Sequence, residues 1–182
     1  FANEFGSKEI LKAVFAAAPE PSPEQKLRYS VCVKPLKEVE PLLKGQDVNA
    51  RRGYFQSPLL SDAVRFKRSA AFVRALVKTG ANVNVCDESG QTPLFEAGGN
   101  FKLMKELAEN QSADMVASLL DAGAEINARD KNGMTPLMYA LMNNADIEIV
   151  DMLLNAGASV NARDRDSFTV LMKAIMYAQN PS

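Results

Sequence analysis

The sequence predicts an all-α solenoid of stacked helix pairs in a chain of 182 residues. Three observations carry this. Helix-stop glycines recur at Gly45, Gly80, Gly123 and Gly157, at steps of 35, 43 and 34 residues. Ser- or Thr-led triplets that open helices recur at Ser22, Ser57, Thr92, Thr135 and Thr169, at steps of 35, 35, 43 and 34 residues. Between each triplet and its glycine runs an apolar stripe at helical spacing. Two independent markers share one series, long step included. Self-similarity at such a period is the signature of a repeat architecture.

Each marker has a physical reason. Ser or Thr at an N-cap accepts a hydrogen bond from the first free helix amides. Pro follows at Pro23, Pro58, Pro93 and Pro136, where its missing N–H costs nothing. Glycine past the last turn supplies the left-handed residue that closes a helix. The stripes read Phe72, Val73, Leu76, Val77; then Met115, Val116, Leu119, Leu120; then Ile149, Val150, Leu153, Leu154. These offsets make one buried helix face. One helix pair cannot cover that face alone, so the pairs must stack.

Read in order, residues 1–21 predict a capping helix, with Ser7 as N-cap and Ile10, Leu11, Val14, Phe15 and Ala18 on one face. Pro19, Pro21 and Pro23 then enforce an extended connection. Residues 22–46 form a degenerate unit, and Pro41 inside its second helix predicts a kink or a split. Residues 47–82 form the next unit. Residues 83–126 form a unit about nine residues too long. The excess falls between its helices, near 98–111. Phe101, Leu103, Met104 and Leu107 there predict an extra turn or short helix, serving as a plain loop insertion or as a contact element. Residues 127–160 are the clearest copy. Residues 161–182 are a partial unit that stops where its second helix should begin, leaving core surface for a continuation, a tail or a partner.

Together these residues resemble the ankyrin repeat. The Thr-Pro-Leu triplets, the Gly-Ala steps at 80–81, 123–124 and 157–158, and the Val/Ile-Asn pairs ending at Asn84, Asn127 and Asn161 are the markers. The resemblance implies an ankyrin solenoid, helix-turn-helix repeats joined by β-turn or hairpin loops. It also implies that turn tips and the exposed side of each first helix line a groove that grips a protein partner. On the tips that set is Arg51, Arg52, Tyr54, Phe55, Glu88, Gln91, Lys131, Met134, Arg165 and Phe168. On the helices it is Glu96, Tyr139, Asn143, Lys173 and Tyr177. The Arg-Asp pairs at 129/130 and 163/164 read as salt bridges between turns. The family's usual His after the triplet is replaced by Phe95, Met138 and Met172, so apolar packing is expected in its place.

Composition bounds the function. The formal net charge is −1, whereas phosphate neutralisation demands a basic excess; a nucleic-acid partner is disfavoured. No apolar run approaches a membrane span. The chain has 0 His and 2 Cys, which removes the commonest general base and metal ligand. Gly98-Gly99-Asn100 lacks the Lys-Ser/Thr of a phosphate loop. Cys32 and Cys86 fall at opposite ends of helices in such a stack, too far apart for a disulfide. No cofactor, metal or small-molecule substrate is expected, and no catalysis. The expected partner is another protein. An enzyme blocked by an inhibitor of immunity type, as in bacteria, comes first; a client recruited by a scaffold or adaptor is the alternative. The chain opens on Phe1, compatible with cleavage for export or with trimming of a cytoplasmic protein.

Overall fold

A computed structural model describes residues 12–17, 20–51, 57–99, 111–143 and 145–178. Helix α1 covers residues 12–17. The helices α2 (Pro23–Val33), α3 (Leu36–Leu43), α4 (Leu59–Arg65), α5 (Ala70–Lys78), α6 (Pro93–Gly99), α7 (Gln111–Asp121), α8 (Pro136–Met142), α9 (Ile147–Asn155) and α10 (Val170–Ala178) follow. Among the described residues the only extended pairing of named partners is the isolated antiparallel bridge of Arg163 with Thr169.

The helices form two layers. The inner row stacks α2 on α4, α4 on α6, α6 on α8 and α8 on α10. The outer row stacks α5 on α7 and α7 on α9, and each outer helix packs on its own inner partner. The apolar stripes supply the core between the layers: Val73, Leu76, Val116, Leu119, Ile149 and Leu153 are all at most 1% exposed. The positions where the family carries His follow two courses. Phe95 and Met138 are buried, and the Phe95 ring meets Tyr139 edge-on at 5.9 Å. Met172 remains exposed at 48%.

Local signals work with three corrections, the first at Thr92, whose buried hydroxyl makes no hydrogen bond and so does not cap α6. Thr135 and Thr169 accept from Met138 N and Met172 N, and Ser22 makes a reciprocal capping box with Gln25. Ser57, by contrast, is not the cap of α4. That place falls to Pro58, and Ser57 Oγ donates instead to Asp62 Oδ1 at 2.7 Å. Pro41 neither splits nor ends α3, which runs unbroken to Leu43. Pro41 sits late in an eight-residue helix on its exposed side, so the carbonyl it leaves unpaired is open to water.

Asparagine ties the outer ends together. Asn49 Nδ2 donates to Gly80 O at 2.9 Å while its Oδ1 accepts from Asn82 N at 2.7 Å. Asn84 does the same to Gly123 O and Glu125 N, at 3.1 and 2.8 Å. Asn127 does it to Gly157 O and Ser159 N, at 3.2 and 2.8 Å. A carboxamide is the side chain that offers a donor and an acceptor from one planar group, which accounts for Asn at each rung.

The joint between α2 and α4 is built differently. Arg28 pairs with Asp62 and donates to Ser57 O at 2.7 Å. Arg68 donates to Cys32 O at 3.3 Å and to Lys34 O. At the near end, Phe15 of α1 stacks on Tyr29 of α2 with ring centroids 4.0 Å apart.

Candidate functional site

Three hairpins are held by the same device. Asp87 Oδ1 accepts from Ser89 N and Gln91 N; Asp130 Oδ1 from Asn132 N and Met134 N; Asp164 Oδ1 from Asp166 N and Phe168 N, all between 2.8 and 3.0 Å. Adjacent hairpins are then fixed in register by backbone bonds, Lys131 N to Ser89 O at 2.8 Å and Arg165 N to Asn132 O at 2.9 Å. Gly90 and Gly133 turn with φ of +79° and +73°, and an added Cβ would stand 3.1 Å from the next hairpin's backbone nitrogen. The tips therefore line up side by side.

This geometry overturns the expected salt bridges between turns. Asp130 and Asp164 are buried inside their own turns. Arg129 donates to Gly133 O at 2.8 Å and to Arg163 O at 2.6 Å, and Arg163 donates to Ser167 O at 3.0 Å. The backbone N–H groups two and four residues on lie closer to each Asp than any neighbouring arginine does. Asp164 has a cation of its own from α10: Lys173 Nζ lies at 2.8 Å. Against the upward push of burial, Lys173 and the Phe168 and Asp166 amides hold its carboxyl below the usual range.

The predicted contact residues divide accordingly. Arg51, Glu88, Lys131 and Arg165 are exposed. Arg51 donates to Cys86 Sγ at 3.2 Å, and none of the four has an ion pair to a described residue. Met134 requires correction: at 7% exposure it belongs to the core, because the chain turns inward there to enter α8. Glu96 is spent on Arg65 of the preceding inner helix, with Asp87 4.0 Å from the same guanidinium. Gln91 supports the Tyr139 phenol, whose pKa is raised by burial and then by Glu96. Asn143 caps α8 by donating to Tyr139 O at 2.8 Å. Phe168 is half-buried under Lys173, 4.9 Å from its ring centroid, and Tyr177 is half-buried on α10. Arg52, Tyr54 and Phe55 lie outside the described residues, as does most of the 98–111 insertion.

Sequence reasoning missed Arg28, Asp62, Arg65 and Arg68. Their bonds between units span 29 to 36 residues of chain, and no local pattern announces them. Neither cysteine is in a disulfide; Cys32 is buried and Cys86 half-buried. Among the described residues no group of His, Cys, Asp or Glu could hold a metal, and no helix is long and apolar enough to cross a membrane.

Helix pairs stacked in two layers and tied along one edge by registered hairpins define an all-helical repeat solenoid, a class that works by presenting an extended surface. The family model for ankyrin repeats matches residues 103–181 in 3 copies, and that part of the chain is built of ankyrin repeats. Ankyrin repeats are protein–protein interaction modules. No curated protein matches the chain.

Proposed function

We propose that the chain is a non-catalytic module that binds another protein along its hairpin tips and the adjoining face of α6, α8 and α10. One observation carries this. In consecutive hairpins the acidic side chain is consumed within the turn, while Lys131 and Arg165 face solvent in one register. The half-buried Tyr139, Phe168 and Tyr177 beside them supply the aromatic surface that interface centres favour. Arg51, Glu88, Gln91, Asn143 and Lys173 extend the same edge, and Arg52, Tyr54 and Phe55 join the proposed set on their sequence position alone.

Within that class, blocking a partner enzyme ranks ahead of recruiting a client as a scaffold. Registered tips lose little freedom on binding, which suits covering a rigid surface such as the rim of an active site. The test is capture from the source organism's lysate with the native chain and with a Lys131→Glu, Arg165→Glu, Tyr139→Ala variant. A partner lost by the variant supports the surface. If that partner's enzymatic activity falls in proportion to added native chain, the inhibitor reading stands. Unchanged activity leaves the scaffold. A partner held equally by both proteins removes the tips from the interface.

A further inference from the structure

The hairpin tips present a charge to solvent that their sequence conceals. In sequence they read Cys86-Asp87-Glu88, Arg129-Asp130-Lys131 and Arg163-Asp164-Arg165-Asp166, with acids and bases interleaved. The fold sorts them. Asp130 and Asp164 are 7% and 9% exposed, held inside their own hairpins by the amides they accept from. Arg129, Lys131, Arg163 and Arg165 are exposed, and Asp166 is the exposed acid beside them. Arg129 and Arg163 donate to backbone carbonyls, which orient a guanidinium and leave its charge uncancelled. At long range the buried acids still count, but at contact distance a partner can pair only with the cations. This does not come from standing at an end. The hairpin at 130–134 is bonded on both sides, through Lys131 N to Ser89 O and Arg165 N to Asn132 O, and its Arg129 and Lys131 are exposed all the same. The hairpin before it is the contrast, with Cys86 and Glu88 at the places of Arg129 and Lys131. The outer helices α7 and α9 are opposite in sign, with Asp114, Asp121, Glu148 and Asp151 and no Lys or Arg.

We infer that the partner meets the hairpins at 130–134 and 164–168 with an acidic segment of its own chain. The inference rests on the tips being the interface and adds the partner's chemistry to that reading. Carboxylates suit these cations by geometry, since a guanidinium takes one through two parallel N–H bonds. Glu88 bounds the segment on one side, where it would repel a further acid. A polynucleotide suits the surface less. Glu88 and Asp166 interrupt the row of cations, and the acids of α7 and α9 repel a continuous polyanion.

The probe is a short labelled peptide alternating Glu and Ser, titrated into the whole protein by fluorescence anisotropy. Its Lys–Ser counterpart and a thymidine oligonucleotide of equal charge are run beside it. The Glu peptide alone should bind saturably. Lys131→Glu with Arg165→Glu should weaken it at least about tenfold, since two attractions become repulsions. Lys44→Glu with Lys78→Glu, at exposed cations ending α3 and α5, makes the same change in net charge. That pair should leave binding within about twofold at about 0.15 M salt, where exposed charges beyond about 8 Å are screened. Glu88→Lys should tighten binding about threefold by lengthening the row. Lys131→Gln with Arg165→Gln should act in the same direction more weakly, and serves if the double reversal does not fold. No saturable binding, an equal loss in both charge-reversal pairs, or oligonucleotide binding as tight as the peptide's overturns the inference. So does a doubled mass by light scattering that the Lys131 and Arg165 reversals restore to the monomer, since the acids of a second copy would then be the occupant. A partner captured from lysate that Tyr139→Ala releases and the Lys131 and Arg165 reversals retain overturns the acidic segment while leaving the tips as the interface.

Discussion

The joint between α2 and α4 and the joints beyond α4 hold the same architecture by a different balance of means. The first relies on charged groups taken out of water: Arg28 on Asp62 and Ser57 O, Arg68 on two carbonyls at the end of α2. The later joints repeat that device once, in Arg65 on Glu96 between α4 and α6, and otherwise add neutral amides at the surface, the three Asn rungs and the backbone bonds between hairpins. Burial pushes the Asp62 carboxyl above its ordinary range, against the pull of Ser57, Arg28 and Arg65. A half-desolvated pair is costly to break, because the surviving charge keeps its burial and loses its partner. An exposed amide rung loses little, because water takes the vacant place. The two regions should therefore answer mutation very differently.

The largest effect belongs to Asp62→Ala, which leaves the part-buried Arg28 with only Glu24 as a counter-charge, at 3.5 Å: a loss of about 3 kcal/mol in urea-unfolding stability. A loss no larger than that of a rung variant would erase the distinction. Cys32, at the same joint, sharpens it through pH. Burial, and then Asp62, push its thiol up from 9.0 to about 12. Above pH 9 the unfolded chain releases this proton and the folded chain keeps it, so stability falls as pH rises toward about 12. Cys32→Ala should flatten that alkaline slope, measured by unfolding at several pH values. In the native protein a thiol reagent should modify Cys86 readily and Cys32 only on unfolding.

Among the hairpins, Gly133→Ala combines a φ of +73° with a Cβ 3.1 Å from Arg165 N, and should cost about 2 kcal/mol by thermal unfolding. Asn84→Ala should cost only about 1 kcal/mol by the same measurement. The smallest effect runs the other way. Ser167 takes the place of Gly90 and Gly133 with a φ of +65°, so Ser167→Gly should stabilise by about 0.5 kcal/mol. A destabilisation there would mean that its side chain earns a contact the backbone argument omits.

The fold was legible because its signals are local. Thr135, Gly123 and the stripe from Ile149 to Leu154 each act within one or two turns of helix, where residue type constrains the backbone directly. The candidate surface was legible only in outline. Exposed Lys131 and Arg165 follow from their place on the tips. Met134 does not, since it is a single residue from Thr135 and its direction depends on where the chain bends into α8. Adjacency makes salt bridges of the Arg-Asp pairs at 129/130 and 163/164 natural to expect, yet the backbone amides of the same turn are the nearer donors to each carboxylate. The Arg28–Asp62 pair spans 34 residues and joins two helices whose mutual placement only the folded chain defines.

The three asparagine rungs close over 31, 39 and 30 residues of chain, and the donor distances to glycine carbonyls stay within 2.9–3.2 Å. The extra length of the third unit is thus invisible to the edge where the hairpins stand. That rim of the molecule works as a ruler: units of unequal length are read off against it at one spacing, rung by rung.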